Sequence, residues 1–342
     1  MGFRKAFYIF IVTLGLVSTC CAFADEIVLS NGSRLIGSVV KKEDGILKLK
    51  TDFAGTLDIQ WTKVKSLKAD NSMTVMLKDK EIIMSHVIRK SGEVTSIVTE
   101  DKKSLRMLKN PEVAFINPDA WRLGNGNKFS GDVNLSLRAQ RGNTDKDESD
   151  IDTDLTWRRE RDRFIFNGEM EYDRDNKKKT VDKWRLQGNY NFFANKKLYY
   201  GWNAGMETDD FADLNHRISM GPIVGVQLFE SRTMNFSAEA RLKRVQEEFE
   251  TEADNNYWSA GWSLNFDKYL FDDLFQFYHR QTGLPNLEEN SNIVWNSWTG
   301  LRFPLIKGFA VSTEVRLDYD SGAATEANDI DTTYHFKIGY QW

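Results

Sequence analysis

From Phe129 to the last residue, apolar and polar side chains alternate in segment after segment, each about ten residues long and bounded by turn formers. A period of two is the mark of a strand with two unlike faces, not of a helix. The first segment sets Phe129, Gly131, Val133, Leu135, Leu137 and Ala139 against Asn134, Ser136, Arg138 and Gln140. The second sets Ile151, Leu155 and Trp157 against Asp150, Asp152, Asp154 and Arg158, and the third sets Phe164, Phe166, Met170 and Tyr172 against Asn167, Glu169 and Glu171. Similar alternation centres on Trp184/Leu186, Tyr200/Trp202, Met220/Val224, Phe236/Leu242, Trp258/Trp262, Phe275/Phe277, Leu301/Phe303, Val311/Val315 and Phe336/Ile338. About twelve antiparallel strands follow from this count. In the ninth and tenth, Val294 and Trp298 break the alternation, and a slip of one residue there would exchange the two faces.

Alternation alone does not say which face is enclosed. Connection length adds direction: turns near Arg159–Asp162, Ala194–Lys197, Glu230–Arg232, Asp267–Asp272 and Ile306–Gly308 are short. Those near Arg141–Glu148, Asp173–Thr180, Glu207–Asn215, Lys243–Asn256, Gln281–Asn292 and Asp320–Asp329 are long and polar. Short turns at one end and long loops at the other are the asymmetry of outer-membrane barrels. Trp157, Tyr172, Tyr190, Phe192, Tyr199, Tyr200, Trp202, Trp258 and Tyr319 gather toward segment ends, as interfacial girdles do. The chain ends on the alternating run Tyr334, Phe336, Ile338, Tyr340, Trp342, the form of signal that barrel-assembly machinery reads. The expected fold is all-β: a transmembrane antiparallel barrel with lipid outside, in which closure satisfies every strand N–H and C=O. Its enclosed face would carry Arg138, Asp152, Asp154, Glu169, Glu171, Arg185, Arg217, Glu239, Arg241, Glu314, Arg316 and Lys337, a mixture able to line a weakly selective channel or to zip into a plug.

Ahead of the barrel, residues 25–118 hold short β-type runs. Asn31-Gly32 is the hairpin signal between Ile27-Val-Leu29 and Leu35-Ile-Gly-Ser-Val39. Val75-Met-Leu77, Ile82-Ile83 and Ser91-Gly92-Glu93 echo Val28-Leu29, Leu35-Ile36 and Asp44-Gly45-Ile46, so two related β-units are expected. The opening hairpin resembles that of SH3-like and Sm-like small barrels, and docking or assembly is the role expected of it. The run at 119–128, rich in Gly and Asn, reads as a linker. Residues 1–24 read as a secretory signal, with Arg4 and Lys5 before an apolar core and an Ala22-Phe23-Ala24 cleavage site. Cys20 and Cys21 are the only cysteines and both precede the cut, so the exported chain would hold no thiol.

Charged residues make up 28% of the 342 and aromatics 13%, with a net charge of −4, so no basic field invites nucleic acid. The histidines His86, His216, His279 and His335 lack metal-ligand spacing, and no cofactor motif occurs. His279, beside Tyr278 and Arg280, marks a possible hydrolase site at a barrel rim. Acidic residues crowd the long loops: Asp145, Asp147, Glu148, Asp209, Asp210, Asp213, Glu247, Glu248, Glu250, Glu252, Glu288, Glu289, Glu326, Asp329 and Asp331. They would be solvated, or would bridge through divalent ions to lipopolysaccharide phosphates.

The leader, the Glu26–Val39 type of segment, the opening Gly131-Asp-Val-Asn-Leu-Ser136 with Arg141-Gly-Asn-Thr144, and the close at Asp331-Thr-Thr-Tyr334 together resemble the YdiY-like family. The resemblance covers Gly131 to Trp342 well and the preceding domain more loosely. It implies a salt-induced outer-membrane β-barrel of a Gram-negative cell, without settled activity. The expected function is a non-enzymatic outer-membrane barrel with a structural, stress-related or passive transport role. Its partners would be outer-membrane lipid and lipopolysaccharide, the barrel-assembly machinery and a periplasmic protein. A small-solute channel, an outer-membrane hydrolase and a soluble periplasmic binding protein are the rival readings.

Overall fold

The computed structural model describes residues 24–92, 94–99, 105–109, 113–140, 145–271, 273–288, 293–321 and 330–342. The expected leader up to Phe23, Glu93, Arg141–Thr144, Glu289, Glu326 and Asp329 lie outside the described residues. The chain divides into two compact units, Met1–Asn117 and Pro118–Trp342.

In the first unit, β1 (Asp25–Leu29), β2 (Arg34–Glu43), β3 (Ile46–Thr51), β4 (Gly55–Gln60) and a 3-10 turn at Trp61–Lys63 lead into the long β5 (Val64–Leu77). There follow β6 (Ile82–Ser91), β7 (Val94–Thr99), β8 (Leu105–Lys109) and β9 (Val113–Ile116). Pairing runs β4-β3-β2-β1-β5-β6-β7-β8, with β9 against β5 and β2. One scheme therefore occurs twice: β1 meanders through β2, β3 and β4 and returns to pair with the first half of β5. The second half of β5 meanders through β6, β7 and β8 and returns as β9. The halves of β5 are separated by a register shift between Lys68 and Met73. At the Asn31-Gly32 hairpin, the Asn31 side chain accepts from the Ser33 N–H at 3.0 Å and Gly32 takes a φ of +87°. One apolar cluster joins both halves, with Ile27, Leu47, Leu49, Leu67, Val75, Ile88, Ile97 and Ile116 all but inaccessible.

The second unit is a closed barrel of twelve strands, each paired antiparallel with its sequence neighbours. They are β10 (Lys128–Gln140), β11 (Lys146–Arg158), β12 (Asp162–Asp175), β13 (Lys178–Phe193), β14 (Leu198–Asp209) and β15 (Leu214–Glu230). The ring continues with β16 (Met234–Phe249), β17 (Asn255–Leu270), β18 (Phe275–Pro285), β19 (Ile293–Pro304), β20 (Phe309–Asp320) and β21 (Ile330–Gln341). It closes where Asp132 to Leu135 of β10 meet Gln341 to Ile338 of β21. That seam is short, whereas β21 pairs with β20 along nearly its whole length.

Apolar side chains point away from the barrel. Leu137, Met170, Trp202, Met220, Tyr334 and Phe336 are all more than half exposed, while Asn134, Asn203, Lys243, Ser312 and Lys337 are buried inside. This inverts a soluble core, whose exterior does not carry a continuous apolar wall. Ring-on-ring contacts cluster at the short-turn end of the outer wall, from Phe129–Trp342 and Tyr340–Phe309 through Trp157–Phe164–Tyr190 and Phe192–Tyr200 to Phe236–Phe266–Phe277 and Phe275–Phe303.

Three sequence expectations need correction. Tyr199 is not in a girdle: Tyr199 and Tyr200 are adjacent on β14 and must face opposite ways, and Tyr199 is the one wholly enclosed. Of the polar stretches taken as long loops, Asp173–Thr180, Glu207–Asn215 and Lys243–Asn256 are largely strand, because ladders continue beyond the apolar wall. Asp173–Thr180 is a hairpin that turns at Asn176-Lys177, both with positive φ. Finally, β18 and β19 keep unbroken register with each other, and Trp298 points inward among the polar residues.

Candidate functional site

The enclosed face of the barrel holds the densest polar chemistry of the second unit. Its order begins with neighbouring strands. On β14 and β15, Tyr199 lies over Gly225, whose hypothetical Cβ would sit 2.4 Å from the ring. Only a glycine leaves room for that ring, and the hydroxyl then reaches across to donate to Glu239 of β16 at 2.9 Å. The arrangement recurs: Tyr278 of β18 lies over Gly300 of β19 with the same clearance, and donates to Glu314 of β20 at 2.9 Å. Each tyrosine thus pins three successive strands from inside.

From Glu314 the network runs on. Lys337 donates to Glu314 and to Asp152, each at 2.7 Å. Asn134 donates to Asp152 and Asp132, and Arg302 donates to Asp132 and to Gln276. His335 meets Asp150 at 3.1 Å. Lys337 and His335 reach past β10 to β11, so side chains stitch the barrel where its backbone seam is shortest. Asp132, Asp152 and Asp154 form a tight acidic cluster, their oxygens within 4.8 Å of one another. Each already faces its own cation, Arg302, Lys337 and Arg280 respectively.

Near the long-loop end a second network joins Arg185, Glu207, Arg217 and Glu247. Arg185 bonds Glu207 at 2.5 Å, Glu207 pairs with Arg217, and Arg217 bonds Glu247 at 2.5 Å. Tyr257 completes it by donating to Glu247 at 3.0 Å. Arg316 of β20 reaches Glu169 at 3.7 Å and Glu171 at 3.6 Å on β12, and its guanidinium stands 5.7 Å from the Trp298 ring.

Several pairs cross the interior instead of following the wall. Arg280 of β18 meets Asp154 of β11, Arg158 of β11 meets Glu230 of β15 at 3.0 Å, and Arg316 meets β12. At the short-turn end the residues read as a linker do more than connect. A 3-10 turn at Ala120–Leu123 buries Trp121 beside Arg158, 5.1 Å from ring to guanidinium, and Arg158 in turn covers Phe193 at 4.0 Å. Arg163, also enclosed, donates to Gln227 at 2.7 Å. Beside this floor lies a cavity of about 440 Å³ lined by Asp132, Asp154, Asp267, Tyr269, Tyr278, Arg280 and Arg302 among others.

The structure brings Asp152, Asp154, Glu169, Glu171, Arg185, Arg217, Glu239, Arg241, Glu314, Arg316 and Lys337 into these interior networks, with Arg241 on Glu239 at 2.7 Å. Arg138 stands apart near the long-loop end, largely exposed and 3.4 Å from Glu148. Tyr334, Phe336, Ile338, Tyr340 and Trp342 occupy the outer face of the chain end and are exposed. Glu247, read as a loop carboxylate, lies inside on Arg217. Glu248, by contrast, is solvent-facing, 3.4 Å from His216. His279 is not at a rim: it sits within β18 on the outer face, its Nδ1 2.8 Å from the Thr299 hydroxyl. Sequence reading missed Asp132, Arg280 and Arg302 as interior groups, although their place in the alternation assigns them there. It had no signal for Trp121, whose partner lies on a distant strand.

A closed antiparallel barrel with an apolar outer wall and a charged interior is the fold of outer-membrane barrel proteins. Within that class, residues 133–342 match the family described as "protein of unknown function, DUF481", and the chain belongs to that family. No curated protein matches the chain. Among solved structures, the NanC porin is 12% identical, covering 61% of this chain and 97% of that one, at a TM-score of 0.39. The KdgM porin is 10% identical over 63% of this chain and 99% of that one, at 0.35. The translocator domain of the autotransporter NalP from Neisseria meningitidis is 10% identical over 64% and 88%, at 0.36.

Proposed function

We propose that this chain is exported by the leader at 1–24 and inserted in the outer membrane of a Gram-negative cell as a non-enzymatic, structural or stress-related barrel whose interior is held shut. The observation that carries the reading is the apolar wall facing outward around paired charges facing inward. Hydrocarbon contact stabilises the first, and mutual pairing satisfies the second. The salt-induced, YdiY-like character implied by Gly131–Ser136 and Asp331–Tyr334 fits a stress role. Under this reading the outer face of β21 serves the assembly machinery, the acidic long-loop end meets lipopolysaccharide through divalent ions, and residues 25–118 offer a periplasmic partner a docking domain. Migration of the purified protein in detergent gels with and without boiling tests the placement. A folded band that shifts on heating is expected, and a chain that stays soluble without detergent and shows no shift would sink the reading.

A small-solute channel is the second reading, favoured by the cavity of about 440 Å³ at the short-turn end. Discrete openings of the wild-type protein in planar bilayers would replace the closed-barrel reading with this one.

A further inference from the structure

At mid-length the outer wall carries a cluster of polar side chains. On the facing strands β18 and β19, the outward positions at mid-length are His279 and Gln281 opposite Thr299 and Ser297. Phe277 and Leu301 flank them toward the short turns, and Trp295 with Gly283 flanks them toward the loops. His279 and Thr299 satisfy each other at 2.8 Å. The Gln281 amide and the Ser297 hydroxyl make no side-chain hydrogen bond among the described residues. An amide left unpaired against acyl chains is unfavourable, so its presence on a lipid-facing wall calls for a partner able to accept and donate.

Resting on the membrane placement proposed above, we infer that the β18–β19 wall is where a second copy of this chain packs in the membrane. The patch carries no carboxylate, lysine or arginine. The Gln281 amide both donates and accepts, so it is complementary to its own copy in a way that an acyl chain is not, while Ser297 beside it is buried. Two copies inserted in the same sense are related by a twofold axis along the membrane normal, which sets like residues opposite like and lets Gln281 bond across the axis. Trp262 lies flat over Gly283 on the same wall, where a Cβ would stand 2.3 Å from the ring. The wall beside the patch is thereby kept low enough for close approach.

The test is oxidative cross-linking of Gln281→Cys in intact membranes, with Met170→Cys on the opposite side of the ring as the reference. The expected result is a shift of the Gln281→Cys chain to twice the monomer mass, with Met170→Cys remaining monomeric. Gln281→Leu combined with Ser297→Ala should lose the dimer of the wild-type protein in mild detergent while keeping its heat-dependent gel shift. A monomer at Gln281→Cys with the gel shift intact overturns the interface and leaves the membrane placement standing. Equal cross-linking at position 170, or an adduct to a different protein, overturns it too. Loss of the gel shift in the wild-type protein would instead remove the membrane placement on which the interface rests.

Discussion

Lys42 shows how one buried cation holds a strand in place. It lies on β2, yet its ammonium donates to the carbonyls of Val113 at 2.7 Å and Ala114 at 2.8 Å, closing β9 onto the sheet. Lys90 shares the Trp61 ring with it, at 4.8 Å against 5.7 Å for Lys42. Burial pushes the Lys42 ammonium down from 10.5 to about 8; Lys90 and Lys78 act in the same direction and Asp44 opposes them. The unfolded chain keeps its proton up to the ordinary value, so between about pH 8 and 10.5 it binds more protons than the folded domain. Stability must therefore rise with pH across that window, and below it the cost of the buried charge is fully present. Hydrogen exchange of residues 113–116 in the whole protein, corrected for intrinsic rates, should slow as pH climbs through the window. Lys42→Met should weaken that protection by about 1–3 kcal/mol through the orphaned carbonyls and remove most of the pH slope, leaving the part due to Lys90, whose value burial also lowers. Unchanged protection in the variant would show that β9 is held by its backbone alone.

At the scale of the element, β21 is the strand whose position depends most on side chains. Its backbone meets β10 over four residues, and Lys337 supplies what the ladder lacks by joining Glu314 on one side to Asp152 on the other. Removing one partner of an enclosed pair costs about 3–5 kcal/mol where water is scarce. Lys337→Met is expected to lower the temperature at which the folded gel band disappears, whereas Thr332→Val, on the outer face of the same strand, is not. Equal temperatures for the two would shift the closing role to the backbone seam. Strand identity was legible because alternation depends only on the backbone, and it survived even in β18 and β19. There the side-chain chemistry runs the other way, with Trp298 inside and His279 and Gln281 outside, so hydropathy misleads while register does not. Element ends were less legible: once a strand passes the apolar wall both its faces are polar, and Asp173, Lys178 and Thr180 then have the composition of a loop.

For the whole molecule, the interior is bridged by contacts between strands distant in the ring, which no local pattern encodes. A twelve-stranded barrel is wider than the eight-stranded ones that ordinary side chains can fill, so long arginines are needed to reach across. Arg316 bridges to Glu169 and Glu171 toward the long-loop end, and Arg280 meets Asp154 where the cavity of about 440 Å³ ends inside the barrel. Arg280 and Arg302 line that space, and Trp121 packs against Arg158 apart from it. Replacing Arg280 and Arg316 together by alanine should join the cavity to the upper interior and leave Asp154, Glu169 and Glu171 short of countercharge. The expected outcome in planar bilayers is frequent discrete openings where the wild-type protein gives none. A reversal potential of the sign for cation preference should accompany them, because the lining has lost two positive charges and no negative ones. A double variant that keeps its heat-dependent gel shift and conducts no better than wild type would place the closure elsewhere, on the Arg185–Glu207–Arg217 network or the Trp121 floor.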